Sequence, residues 1–202
     1  DKVRLASPFL VRTVDPPLVE RARRPRYEPP LSAMRTYLDA RDRAPFLAAR
    51  PGREPELVIG ALAPKMLALA AERTAGAHPY FVPPEHTRRA REILGRGKRL
   101  APEQAAVLET DPTVARAVAR THMAIYIGLP NYRNNLLRLG FNELDFADGG
   151  SDRLVDAIVA WGDVDAIVAR VRAHHEGGAD HVGVQVLDPD PRALPMPQWG
   201  AL

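Results

Sequence analysis

The stretch LVIGALAPKMLALAAERTAGAHPYFV, residues 57–82, decides the fold. It reads as strand, turn, helix, glycine stop and strand. Residues 56–60 form a strand that ends in Gly60. Pro64 suits the first turn of a helix, where its missing N–H costs nothing. Met66, Leu67, Leu69 and Ala70 give that helix a broad apolar face. Gly76 is expected as the C′ residue that ends it, and residues 77–82 as the next strand. Two strands joined by one crossover helix run parallel.

The rhythm continues downstream. Pro84 opens a helix through Ile93 and Leu94, and Gly95 stops it. PEQAAVLE (102–109) reads as a third strand. Asp111 is an N-cap with Pro112 behind it, and Val114, Val118 and Ile125 mark one side of the helix that follows. Residues 131–140 predict a short helix after Pro130, and FNELDFADGG a loop. Ser151 caps DRLVDAIVAW, stopped by Gly162, and Asp163 caps VDAIVARVRAHHE, stopped by Gly177 and Gly178. HVGVQVL (181–187) is an alternating strand, and the proline-rich tail 188–202 reads as irregular. Upstream, Leu31, Met34, Tyr37 and Leu38 form a helical stripe after Pro30, and residues 43–55 read as a loop. Residues 3–14 form a doubtful strand, interrupted by Pro8.

Strands alternating with helices predict an α/β protein with a parallel sheet, either doubly wound or a barrel. At 202 residues the chain is short for a complete eightfold barrel, which takes about 250. The expectation is therefore a partial barrel. We read a single domain over 1–202: a divergent, loop-rich part (1–55), βα units (56–187) and a tail (188–202).

The composition, 46% hydrophobic and 26% charged, is that of a globular protein. With no cysteine, disulfides, thiolate nucleophiles and Cys-ligated metals are excluded. No long apolar run marks a membrane span and no signal peptide is evident, so a cytoplasmic protein is expected. Net charge is +3, with 12 basic against 7 acidic residues in the first 54. ERARRPRYE (20–28), with Arg21, Arg23, Arg24 and Arg26, suggests a nucleic-acid arm. A solvated surface accounts for it better, because no aromatic or glycine pattern accompanies it and arginine is this chain's default cation.

Functional groups of parallel α/β folds gather at the carboxyl ends of strands. Gly60 lets the backbone approach a ligand closely. The amides of Leu62, Ala63 and Lys65 are candidate free donors at a helix N-terminus, a natural anion site to which the Lys65 side chain could add charge. A plain βα turn is the competing reading. There is no G-x-G-x-x-G and no phosphate-binding P-loop. At the neighbouring strand end stand His78, Pro79 and Tyr80. His78 could hydrogen-bond a cofactor or shuttle a proton, or could simply be satisfied by backbone. His78 and His86 are too isolated for a metal site. His174 and His175 suit the end of a helix, where positive charge is welcome. The serine of GGSDR is a helix cap, not a nucleophile.

Residues ELVIGALAPKMLALAAERTAGAHPYFVPPEHTRRAREILG resemble the luciferase-like oxidoreductase family, in its branch of probable coenzyme F-420-dependent enzymes. So do LAPEQAAVLETDPTVARAVARTHMAIYIGLPNYRNNLLRLGF and GDVDAIVARVRAHHEGGADHVGVQVL, with LPMPQW resembling the family's C-terminal extension. The resemblance implies a (β/α)8 barrel that binds coenzyme F-420, or alternatively FMN, at its strand ends and passes hydride to or from a small organic substrate. Some relatives of this kind are monooxygenases. It implies that Gly60, Ala61, Leu62, Ala63 and Pro64, with Lys65, hold the cofactor's phosphate-bearing tail. His78 is then the catalytic candidate, with Pro79 and Tyr80 beside it at the cavity. Full members carry further strands before this chain's first residue, and LASPFLVRTVDPP stands where they have a glycine-rich G-x-G segment. Hence two further expectations: self-association or pairing through an open barrel edge, and, as the alternative function, a catalytically inactive half-barrel serving interaction.

Overall fold

The computed structural model describes residues 4–6, 29–45, 52–53, 55–190 and 192–202. The basic cluster 20–28 and most of residues 3–14 and 46–54 lie outside them. The elements are β1 (Arg4–Ala6), α1 (Pro30–Arg43), β2 (Leu57–Gly60), α2 (Pro64–Arg73), β3 (Gly76–His78), α3 (Pro84–Leu94), β4 (Arg99–Leu100), β5 (Glu103–Val107), α4 (Pro112–Ile127) and α5 (Pro130–Arg138). A 3-10 segment (Glu143–Gly149), α6 (Asp152–Ile158), β6 (Ala160–Trp161), α7 (Val164–Glu176), β7 (Gly183–Val186) and α8 (Met196–Ala201) follow.

Helix starts are local chemistry. Helices α1 to α5 each begin on proline, which presets φ and has no N–H to leave unpaired. Asp111 caps α4 through the amides of Thr113 (2.8 Å) and Val114 (3.1 Å). Ser151 caps α6 through Leu154, and Asp163 caps α7 through Ala166. Gly95 (φ 77°) and Gly178 (φ 96°) take the left-handed backbone that stops α3 and follows α7.

All strand pairings are parallel. One sheet runs β1-β2-β3-β4, and another runs β6-β5-β7. Residues 99–107 join the two. The amides of Arg99, Ala101 and Glu103 donate to Ala75, Ala77 and Pro79 on the β3 side. The carbonyls of Pro102 and Ala106 accept from Gly183 and Leu187 on the β7 side. Val107 accepts from Gly162 beyond β6. Strand β2 is buried at Leu57, Val58 and Ile59, as a parallel strand covered on both faces must be. One apolar core joins Met34 and Leu38 of α1, Leu57 and Ile59 of β2, Leu67 and Leu69 of α2 and Leu100 of β4. A second gathers Phe81, Ala105, Val107, Met123, Tyr132 and Leu136.

Several expectations are corrected. Gly76 does not end α2. Thr74 closes that helix, with its hydroxyl on the Ala70 carbonyl at 2.8 Å, and Gly76 is the first residue of β3. Strand β3 stops at His78, before Pro79, which has no amide for the ladder, and Phe81 then turns to φ 59°. Helix α6 ends at Ile158, and Ala160 and Trp161 form β6. In α4 the buried face is Ala115, Ala119, Met123 and Ile127, while Val114 and Ile125 are exposed. Ala115 and Ala119 let that helix lie close to its neighbours, with Met123 and Ile127 on the same face, while Val114 and Ile125 fall on the other side. Tyr37 of α1 and Ile93 of α3 are likewise exposed. The loop 141–150 holds the 3-10 segment, started by a capping box between Asn142 and Asp145. The tail contains α8, with Leu194, Met196 and Trp199 exposed. Among the described residues no helix is long and apolar enough to cross a membrane.

Candidate functional site

The register of β2 and β3 pairs Gly60 with His78, so the two strand ends singled out in the sequence are neighbours. Residues 61–63 leave β2 and enter α2. Ala61 is buried, Leu62 and Tyr80 both pack on the second core, and Pro64 and Lys65 are exposed. Ala63 is the N-cap of α2 in extended conformation, and no side chain caps that helix. Its carbonyl accepts from Met66 and Leu67. The turn is pinned from behind by His86, whose ring sits 2.9 Å from the Leu62 carbonyl. A carbonyl only accepts, so Nε2 carries the proton. Burial, with Arg138 and Arg89 near, lowers the basicity of His86 and keeps it neutral, which leaves its buried Nδ1 as an unpartnered lone pair. Positive potential at this turn therefore comes from the uncapped helix start and Lys65. These residues fit an anionic group.

His78 is half-buried, with Nδ1 at 2.5 Å from the Ala101 carbonyl. Nδ1 must donate, and in the neutral ring Nε2 is then the acceptor. The backbone contact thus orients His78 and leaves one nitrogen for a ligand. Pro79 is buried, and its carbonyl accepts from Glu103. The Tyr80 hydroxyl donates to Gln185 at 2.8 Å and lies 3.1 Å from that of Tyr126. Burial raises its pKa out of the physiological range, so it works as a neutral hydrogen-bonding group.

Four functional candidates escape a reading by motif. Successive residues of 99–107 face opposite ways. Gln104 and Ala106 face α7, while Glu103, Ala105 and Val107 face the side where Tyr80 and Phe81 lie. Phe81 stacks on Tyr126 at 5.0 Å and meets Tyr132 edge-on at 5.5 Å. Its φ of 59° is strained for an aromatic residue, and its amide donates to Glu103 at 3.3 Å. Glu103 is 6% exposed, and its other carboxyl oxygen has no partner. Burial pushes its pKa up to about 7. Tyr132 is pushed up to about 12, chiefly by burial, with Tyr126 and Glu103 adding to it. A buried acid among aromatic rings, with one oxygen unpartnered, makes Glu103 a functional-site candidate although it opens β5 rather than ends it. Its signal in the sequence was a Glu-Gln pair opening an apolar strand.

His174 corrects another expectation. It does not carry charge at a helix end. It is fully buried, with Nδ1 2.7 Å from Thr87 and Nε2 2.9 Å from Gln104. Gln104 spends its amide N–H groups on the Ala105 and Ile158 carbonyls, so its oxygen accepts from His174 Nε2 and Thr87 donates to Nδ1. Burial, with Arg170 near, lowers its pKa to about 4.

These two groups act on stability in opposite directions. Folded Glu103 keeps a proton up to about pH 7 that the unfolded chain releases above 4.5, so its contribution is full below 4.5 and lost as pH rises through 7. Folded His174 refuses a proton that the unfolded chain takes below 6.5, so stability falls as pH drops from there toward 4. His86 and His122, also lowered by burial, act in the same sense as His174. Replacing Glu103 with glutamine removes only the first effect. The variant should gain on the wild type as pH rises from 4.5 to 7, by about 3 kcal/mol at the top. Urea denaturation across that range measures it, and parallel curves would disprove it.

Comparison with known proteins gives these features a family. A search of curated proteins finds no match. Among solved structures, the coenzyme F-420-dependent tetrahydromethanopterin reductase of Methanopyrus kandleri aligns with 20% identity and a TM-score of 0.54, over 68% of this chain and 47% of that one. An F-420-dependent secondary alcohol dehydrogenase, solved with an F-420–acetone adduct, aligns with 14% identity and a TM-score of 0.54, over 72% and 47%. The FMN-bound oxygenating constituent of 3,6-diketocamphane monooxygenase, from the CAM plasmid of Pseudomonas putida, aligns with 16% identity and a TM-score of 0.52, over 74% and 46%. The chain spans about half the length of these proteins and shares the corresponding part of their fold, as expected of a partial barrel. The family model for luciferase-like monooxygenases matches residues 18–181, and the chain belongs to that family.

Proposed function

We propose that this chain forms the cofactor-tail side of a redox enzyme in which hydride passes between coenzyme F-420, or alternatively FMN, and a small organic substrate. The observation that carries the reading is the pairing of Gly60 with His78, which puts an uncapped helix start beside an oriented histidine. The solved structures named above, two of F-420-dependent enzymes and one with FMN, support the cofactor class. When bound, such a cofactor supplies a ring that accepts or gives a hydride.

The residues of this chain have separate tasks. The amides of Leu62, Ala63 and Lys65 hold a phosphate, and the exposed Lys65 adds a point charge. Gly60 and Ala61 present a narrow backbone to the tail. His78 offers Nε2 to the ring or the substrate and takes or returns a proton there. Tyr80, locked on Gln185 and Tyr126, walls the cavity beside Pro79. Titration of the chain with oxidised and reduced F-420 and with FMN, followed by absorbance and fluorescence, tests the reading. Saturable binding that weakens with salt is expected, and no binding of either cofactor would overturn it.

A second reading is an interaction protein without catalysis. It is favoured by Leu194, Met196 and Trp199 exposed on the tail and by β7, whose first three residues are only half-buried. That surface would draw a second copy. Sedimentation showing a monomer that binds cofactor favours the enzyme, and an oligomer that binds none favours the scaffold.

A further inference from the structure

A cleft of about 410 Å³ opens where α3, the end of α5, α6 and α7 meet. Arg88, Arg153 and Arg170 line it, Glu85 alone among the lining residues is acidic, and Leu139 and Phe141 supply an apolar wall. Each arginine is held in a different way. Arg170 donates to the carbonyls of Ala157 (2.8 Å) and Asp156 (2.6 Å) at the end of α6. Among the described residues no carboxylate lies within ion-pair distance of it; burial lowers its pKa, and the more distant Glu85 and Asp156 offset that only in part. Arg153 is fixed by Asp145, at 2.5 Å and 3.2 Å, and lies over the ring of Phe141 at 4.6 Å. Asp145 is held well below the usual carboxylate range, chiefly by that arginine, so it stays committed there. Arg88 is exposed and meets Glu85 at 3.3 Å, an interaction of little worth at a surface.

We propose that this cleft binds a small phosphate monoester, its charged end among the three guanidiniums and its apolar group on Leu139 and Phe141. Guanidinium forks match phosphate oxygens, and three arginines against the single lining carboxylate of Glu85 leave the cleft with an excess of positive charge. The site is distinct from the turn at residues 60–65, since none of that turn's residues lines it.

Calorimetric titration with phenyl phosphate tests this. Saturable, salt-sensitive binding is expected, weaker for inorganic phosphate and absent for phenol. Ala173 lines the cleft three residues after Arg170 on α7. Ala173→Glu builds a carboxylate into the cleft and should weaken phenyl phosphate by at least about tenfold. Arg88→Glu should weaken it comparably and leave the fold intact, because its only partner is at the surface. Gly60→Asp should leave this binding unchanged. The proposal fails if phenyl phosphate does not saturate, if both cleft variants bind it as the wild type does, if Gly60→Asp abolishes it, or if phenylacetate binds equally well.

Discussion

Gly76→Ala is expected to prevent folding. A Cβ at this position would stand 2.0 Å from the Arg99 carbonyl oxygen, 2.7 Å from its carbon and 2.8 Å from the Arg99 Cβ. Two of these three atoms are backbone, in the strand that Gly76 pairs with, so no rotamer relieves the overlap. Parting β3 from β4 would break the bonds from Arg99 to Ala75 and from Ala101 to Ala77, at 2.8 and 3.0 Å. It would also disturb Leu100, which is fully buried. The combined loss exceeds about 4 kcal/mol, a large share of a domain's stability. Gly52→Ala is the control, because nothing lies within 4 Å of a Cβ there. Circular dichroism and urea denaturation should show the Gly52 variant native and the Gly76 variant unfolded or barely stable. A Gly76→Ala protein as stable as the wild type would refute the close strand contact.

Gly60→Asp should cost cofactor affinity while leaving stability intact. The new carboxylate would enter the space beside His78 and compete with a phosphate for the donors at the start of α2. Repulsion of a phosphate at this range is worth about 1 to 4 kcal/mol, a loss of roughly five- to thousandfold in affinity. The same negative charge favours the helix, whose N-terminus carries positive potential, so the melting point should hold or rise slightly. Opposite signs for binding and stability separate this effect from misfolding. Gly60→Ala separates charge from bulk and should keep most of the affinity. Unchanged titration of Gly60→Asp with F-420 and FMN would remove the turn from the site.

The helices were legible because their signals are local: proline at the first position, Asp111, Ser151 and Asp163 as caps, and Gly95 and Gly178 as stops. Strands of four and five residues such as β2 and β5 were legible from their place between helix signals. Strands β4 and β6 did not, since two residues become a strand only through the neighbours they bond. Gly76 illustrates the limit well. Its sequence context fits a helix terminator, yet its role is set by Arg99, 23 residues away in the chain. The pairing of Gly60 and His78 could be anticipated, because consecutive parallel strands usually lie side by side. The surroundings of Glu103 could not, since they depend on Tyr80, Tyr126, Tyr132 and the backbone twist at Phe81. His174 departs from its expected role for the same reason: its burial depends on α3 and β5, not on its place in α7.

Residues 99–107 give the amides of Arg99, Ala101 and Glu103 to one sheet and the carbonyls of Pro102, Ala106 and Val107 to the other. No line can be drawn through the βα units that leaves this ribbon bonded on both flanks. The two halves are therefore expected to melt as a single cooperative unit, with neither the cradle at the start of α2 nor the arginine-lined cleft folding as a free-standing module.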